Sequence, residues 1–182
     1  NAQALSQRCM ASDARARIQV HTGDCNVLVD QVVADLRRDE RRSLNLAFLD
    51  PEGLELQWTT VAKLATIRRM DLILKYPQGG LNRLMRQAYD ANTETVVDRY
   101  FGGDSWRTIY AQWLKTRRSG LHRQLIDLYR DRLRMLGYAE VRGDDEVGDE
   151  PLMRNAKRNA PLYRLLFASK HPLGKEFWHS VT

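Results

Sequence analysis

The chain predicts an α/β protein, a three-layer sandwich around a mostly parallel sheet. Two stretches and the segment between them carry that expectation. Leu44 to Gly53 (Leu-Asn-Leu-Ala-Phe-Leu-Asp-Pro-Glu-Gly) and Asp71 to Gly80 (Asp-Leu-Ile-Leu-Lys-Tyr-Pro-Gln-Gly-Gly) are short apolar runs that stop at proline-containing turns, as buried parallel strands do. Between them Leu54, Trp58, Val61, Ala62, Ala65 and Thr66 recur at helical spacing. Strand, helix, strand is a βαβ unit. In open α/β sheets ligands bind outside the carboxyl ends of the strands, so Asp50 and Pro51 on the first turn, and Lys75 to Pro77 on the second, should face one crevice.

Taken in order, Asn1 to Ala16 is polar, has no apolar core of a signal peptide and reads as the tail of a helix or a loop. Arg17 to His21 alternates as a strand does, and Thr22 to Asn26 closes it with turn chemistry. Asn26 to Arg38 carries Val27, Leu28, Val29, Val32, Val33 and Leu36 on one broad face and predicts a helix despite its β-branched content. After the βαβ unit, Leu81 to Ala91 predicts a short amphipathic helix. Val96 to Leu114 is an aromatic-rich insert broken at Gly102-Gly103, whose rings Tyr100, Phe101, Trp106, Tyr110 and Trp113 read as a packed subcore, or else as a lid over the crevice. Leu121 to Leu136 has a clear apolar stripe that Gly137 ends. Tyr138 to Val141 predicts a strand, Arg142 to Glu150 an acidic loop and Met153 to Asn159 a basic, polar stretch. Leu162 to Ser169 predicts a strand antiparallel to the others, and Leu173 to Val181 a terminal helix.

With 182 residues and 43% hydrophobic content, the chain can bury one sizeable core. No apolar run approaches the roughly 20 residues of a membrane helix, so no membrane association is expected. Cys9 and Cys25 form no Cys-x-x-Cys pair, which fits a reducing cytoplasm and argues against a disulfide framework or zinc site. The net charge is +6 and arginine far outnumbers lysine, a balance suited to nucleic acid; arginines interleaved with carboxylates also describe solvated helix faces. His21, His122, His171 and His179 have no metal spacing, and no Gly-x-Ser-x-Gly, phosphate-binding loop or dinucleotide glycine fingerprint is present.

The order of these features resembles the back two-thirds of a class I S-adenosylmethionine-dependent methyltransferase, a Rossmann-like fold. The likeness lies in a strand ending Gly23-Asp24, a strand ending Asp50-Pro51, a third central strand, and a closing strand pair after a long helix. More specifically, the chain resembles the three-Cys-motif partner protein (TcmP) family. That resemblance rests on Phe48 to Gly53 with Trp58, on Asp71 to Pro77, on Asp98 to Gly102 with Trp106, and on Leu162 to Gly174 with Trp178, the last block being the most specific. It implies a bacterial or phage protein encoded beside a protein with a three-cysteine motif of radical-enzyme type. S-adenosylmethionine is the implied cofactor, and nucleic acid or a nucleotide-like molecule the implied substrate. The different-class alternative is a non-catalytic, methyltransferase-like interaction subunit that docks the three-cysteine protein through the aromatic insert.

Two features depart from the pattern. No glycine-rich loop precedes Arg17, and the strand ending at Asp24 lacks a neighbour, which would leave costly unpaired backbone. The expectation is that residues 1–182 are the carboxyl-terminal part of one longer domain whose amino-terminal strands, about one hundred residues, are missing, with a helical insert at about 81–120. The turn at Asp50-Pro51-Glu52-Gly53 also lacks the aromatic ring that base-methylating enzymes of this fold stack on an extruded base.

With that resemblance, Asp50, beside Pro51, is the candidate catalytic acceptor for a substrate amine, or a cap for the following helix. Asp24 would accept from the cofactor's adenine amino group, with Cys25 beside it, or cap the next helix. Glu52 is a second acceptor or the favourable acid at a helix start. Lys75 and Tyr76 would meet or stack on a substrate phosphate, or form the polar end of a strand.

Overall fold

The computed structural model describes residues 2–141, 152–174 and 176. The protein is α/β with a mixed sheet. Helix α1 (Ala2–Met10) leads through a 3-10 turn (Arg15–Arg17) to α2 (Cys25–Arg37). Then follow β1 (Asn45–Leu49), α3 (Trp58–Leu64), β2 (Met70–Tyr76) and α4 (Gln78–Asp90). The insert forms α5 (Val96–Phe101) and α6 (Ser105–Thr116), and the chain continues with α7 (Leu121–Met135), β3 (Glu140–Val141), β4 (Leu152–Arg154) and β5 (Pro161–Ser169).

The strand order is β1-β2-β5-β3, with β4 also pairing β5. The βαβ unit forms as expected: β1 and β2 are parallel, Leu49 opposite Leu74. Strand β5 runs antiparallel to β2, β3 and β4. The parallel part of the sheet is therefore narrower than expected, one pair among the described strands. The reason is that Arg17 to His21 is not a strand: the segment leaves the 3-10 turn as irregular chain with Ile18 38% exposed. With Ile18 exposed and Val20 only half-buried, the segment buries too little to offset the ordering of a strand.

Strand parity sets the layers. Met70, Leu72, Leu74 and Tyr76 of β2 are all buried on one face, continuous with Ala47 and Leu49 of β1 and with Val61, Leu81, Leu125 and Leu133 from the helices. The other face carries Leu46 and Phe48, each more than half exposed. Helices thus close one side of the sheet, while the other stays partly open among the described residues.

Helix α4 begins earlier than the sequence suggests and takes in Gly79 and Gly80. Pro77 precedes it, where a missing N–H costs nothing. A Cβ at Gly79 would stand 3.1 Å from the Pro161 carbonyl oxygen, so glycine lets α4 reach β5. Helix α3 is shorter than expected because Leu54 to Gln57 is not helical, with Gln57 extended at its N-cap. At its far end the Lys170 ammonium donates to the carbonyls of Ala65 and Ile67, tying α3 to β5.

The insert is a packed subcore, with Tyr100, Phe101, Trp106 and Tyr110 all buried. Its keystone is Asp98, 5% exposed, which caps α5 reciprocally with Thr95 and accepts from Trp106 Nε1 and from the Arg107 guanidinium. Gly102 ends α5 at φ +72, and any Cβ there would overlap the Trp58 ring. Strand β4 was hidden in a basic, polar stretch. The expected loop Arg142 to Glu150, Trp178 and most of the expected terminal helix lie outside the described residues.

Candidate functional site

The first turn of α2 and the loop after β1 meet through one side chain, Asn26. Its Nδ2 donates to the Glu55 carbonyl (2.9 Å), and its Oδ1 accepts from Gln57 N (3.0 Å) and Thr60 Oγ1 (2.7 Å). Asp24 holds Asn26 in turn, accepting through Oδ1 from its backbone N (2.8 Å) and its Nδ2 (2.9 Å), so Asp24 is the N-cap of α2. The result is a crevice of about 560 Å³ outside the carboxyl end of β1, lined by Asp24, Cys25, Pro51, Glu52, Glu55 and Arg99 among others. Four of the residues expected to share a site are brought together here. Pro51 and Glu52 arrive from the end of β1, as parallel βαβ geometry expects, while Asp24 and Cys25 belong to the start of α2 and are brought there by the Asn26 bonds.

The crevice is acidic. Three carboxylates, Asp24, Glu52 and Glu55, line it against the guanidinium of Arg99, which also faces Glu94 at 3.5 Å. Glu55 shapes the loop by accepting from Gly53 N at 2.7 Å. Partial desolvation, then the charge of Asp24, raises the Cys25 thiol, so it stays protonated at neutral pH and is a poor nucleophile. Acceptors in this number suit a ligand rich in hydroxyl and amino donors and carrying positive charge; they repel a phosphate.

Asp50, immediately before Pro51, is 53% exposed at its side chain and pairs with Lys75, Nζ to Oδ1 2.8 Å. Lys75 also sits 4.8 Å from the centre of the Tyr163 ring. The lysine proposed for a substrate phosphate is thus already engaged with Asp50. Tyr76 must be corrected: it is wholly buried, 0% exposed, so it neither stacks on nor meets a substrate. Its hydroxyl instead lies 2.9 Å from His122 Nδ1, and its ring packs edge-on against Tyr100.

Glu55, Arg99 and Asn26 are site residues the sequence reading passed over. Glu55 had a local signal, a carboxylate two residues beyond a glycine whose N–H it accepts. Arg99 had none, since it arrives from the insert. Among the described residues no group of His, Cys, Asp and Glu could hold a metal, and no helix is long and apolar enough to cross a membrane. Compared with known proteins, the chain matches no family model, no curated protein and no solved structure, so the chemistry of this crevice is what bears on its function.

Proposed function

We propose that the chain belongs to a class I methyltransferase-like domain that binds S-adenosylmethionine in the acidic crevice and acts on nucleic acid or a nucleotide-like substrate in the cytoplasm. The observation that carries this reading is the convergence of Asp24, Glu52 and Glu55 at the carboxyl end of β1. A sulfonium donor brings a positive charge, ribose hydroxyls and an adenine amino group, all of which carboxylates accept, and it brings no phosphate for them to repel. The ordered Asp50–Lys75 pair at the neighbouring strand ends supplies an acceptor for a substrate amine, with catalysis mainly a matter of positioning. The nucleic-acid part draws on the net charge of +6, carried mostly by arginine.

Calorimetric titration with S-adenosylmethionine, before and after Glu52→Gln with Glu55→Gln, tests the crevice. Micromolar binding that weakens about tenfold or more in the double variant supports it; no heat from a folded protein ends it. A second reading, a non-catalytic subunit that docks a three-cysteine-motif protein, draws on the outer face of β1, where Leu46 and Phe48 are exposed. It draws nothing from the insert's Tyr100, Phe101, Trp106 and Tyr110, which are buried.

A further inference from the structure

A second cavity, of about 420 Å³, opens at the same edge of the sheet beyond β2, and its chemistry is the reverse of the first. Gln78, Asn82, His122, Arg123, Arg164 and Trp113 line it with Tyr110, and no carboxylate does among the described residues. Two helices begin there, α4 at Gln78 and α7 at Leu121, and neither first turn is capped by a side chain. The amino ends of both therefore present partial positive charge at a place that already holds two guanidiniums.

The polar groups are held in place before any ligand arrives. Gln78, 8% exposed, accepts from Arg164 Nε at 3.0 Å, which fixes the guanidinium plane. Asn82 Oδ1 lies 2.7 Å from His122 Nε2, and His122 Nδ1 lies 2.9 Å from the Tyr76 hydroxyl. With Nε2–H donating to Asn82, Nδ1 accepts from the tyrosine, and the imidazole is neutral and fixed. Beside these groups the Tyr110 and Trp113 rings stack, centroids 5.4 Å apart at 25°, with the Arg117 guanidinium 4.7 Å from the Trp113 ring centre.

We propose that this cavity binds a nucleoside monophosphate unit, its phosphate at Arg123, Arg164 and the two helix amino ends and its base against the partly exposed Trp113 ring, which buried Tyr110 backs. A bare anion needs no aromatic wall, and an apolar ligand needs no guanidiniums; a nucleotide uses both. The assignment deepens the function proposed above, since it names where the nucleotide of that reading sits, and it gives the two cavities of one edge opposite charge for ligands of opposite charge.

Tryptophan fluorescence during titration with cytidine 5′-monophosphate, with a short single-stranded oligonucleotide and with inorganic phosphate tests the assignment, while S-adenosylhomocysteine is titrated calorimetrically against the same samples. The expected result is a quench that Trp113→Leu removes, and an affinity that Arg123→Glu, at a partly exposed rim position, weakens about tenfold or more. Trp113→Phe keeps a ring and should keep most of the affinity, which separates loss of stacking from loosening of the insert. Preference for the mononucleotide or for the strand distinguishes a free nucleotide from a nucleic-acid unit, and either supports the site. Nucleotide affinity unchanged in both Trp113→Leu and Arg123→Glu, or phosphate binding as tightly as the nucleotide, overturns it. So does displacement of the nucleotide by S-adenosylhomocysteine, which would place it in the acidic crevice. Nucleotide binding beside silence toward S-adenosylhomocysteine supports the basic cavity and removes the cofactor reading alone.

Discussion

Lys75 Nζ stands 2.8 Å from Asp50 Oδ1, an ion pair that joins the ends of two adjacent parallel strands one step beyond the Leu49–Leu74 register pair. The pair keeps the acceptor at the rim in a defined place. It contributes little to the fold, because Asp50 is half exposed and ion pairs of that kind are worth about 1 kcal/mol or less.

Asp50→Ala should therefore lower stability by no more than about 1 kcal/mol in urea unfolding, while methyl transfer to a nucleotide-like acceptor falls about a hundredfold or more. Transfer that persists at the parental rate removes Asp50 from the chemistry. A large loss of stability would instead make the pair a structural clamp.

His122 gives the fold a pH dependence of its own. Burial first, and then the charge of Arg164, pushes the imidazole down to about 4. An unfolded histidine takes up its proton near 6.5, so between about 6.5 and 4 the unfolded chain binds more protons than the folded one. Stability from this group is complete above about pH 6.5 and is lost as pH falls toward 4, by up to about 3 kcal/mol. Urea midpoints measured from pH 7 to 4 should show that decline, and His122→Gln should flatten it. An equal slope in the variant means another group sets the decline.

Asp98 acts in a lower window. Burial would raise its pKa, but donation from Arg107, Thr95 and Trp106 outweighs that and holds the carboxyl well below the usual carboxylate range. Its contribution is present above about pH 4 and disappears as the medium becomes more acidic than that. Asp98→Asn removes the partner of Arg107 inside the insert and should cost about 3 kcal/mol at neutral pH. The near-ultraviolet dichroism of Trp106 would report the loosening. A loss below about 1 kcal/mol would show that the α5–α6 pair does not depend on this cluster.

The parts of the fold legible in sequence were those in which a local pattern and a tertiary role agree. Leu44 to Pro51 and Asp71 to Pro77 read as strands because each is an apolar run that a proline ends, but only β2 is the buried strand expected, since Leu46 and Phe48 of β1 are exposed. Arg17 to His21 misled because the alternation of Ile18 and Val20 is met equally by irregular chain that leaves Ile18 exposed and Val20 half-buried. Strand β4 was missed because three residues, Leu152 to Arg154, none of them buried, are too few to show an alternating pattern. Tyr76 was misplaced although parity held the answer: it shares a face with Met70, Leu72 and Leu74, whereas Lys75 points the other way toward Asp50. The crevice residues Pro51 and Glu52 were legible because they end a strand of the βαβ unit, whereas Asp24 and Cys25 reach the crevice as the capped start of α2 and not as a strand end. The basic cavity was not, since His122, Arg123 and Arg164 come from elements far apart in sequence.

The same parity separates two classes of apolar residue in the sheet. Leu72 is fully buried on the closed face, and Leu72→Ala should cost about 2 to 5 kcal/mol through lost burial and the void left behind. Leu46 and Phe48 lie on the open face at 53% and 57% exposure, so Leu46→Ser and Phe48→Ser should each cost less than about 1 kcal/mol. Because β1 has a strand on one side only among the described residues, these two side chains also leave an apolar edge of the kind that promotes pairing between sheets. The double serine variant should consequently scatter less light at high concentration at unchanged helical content. A loss comparable with that of Leu72→Ala would show instead that the outer face of β1 is covered in solution.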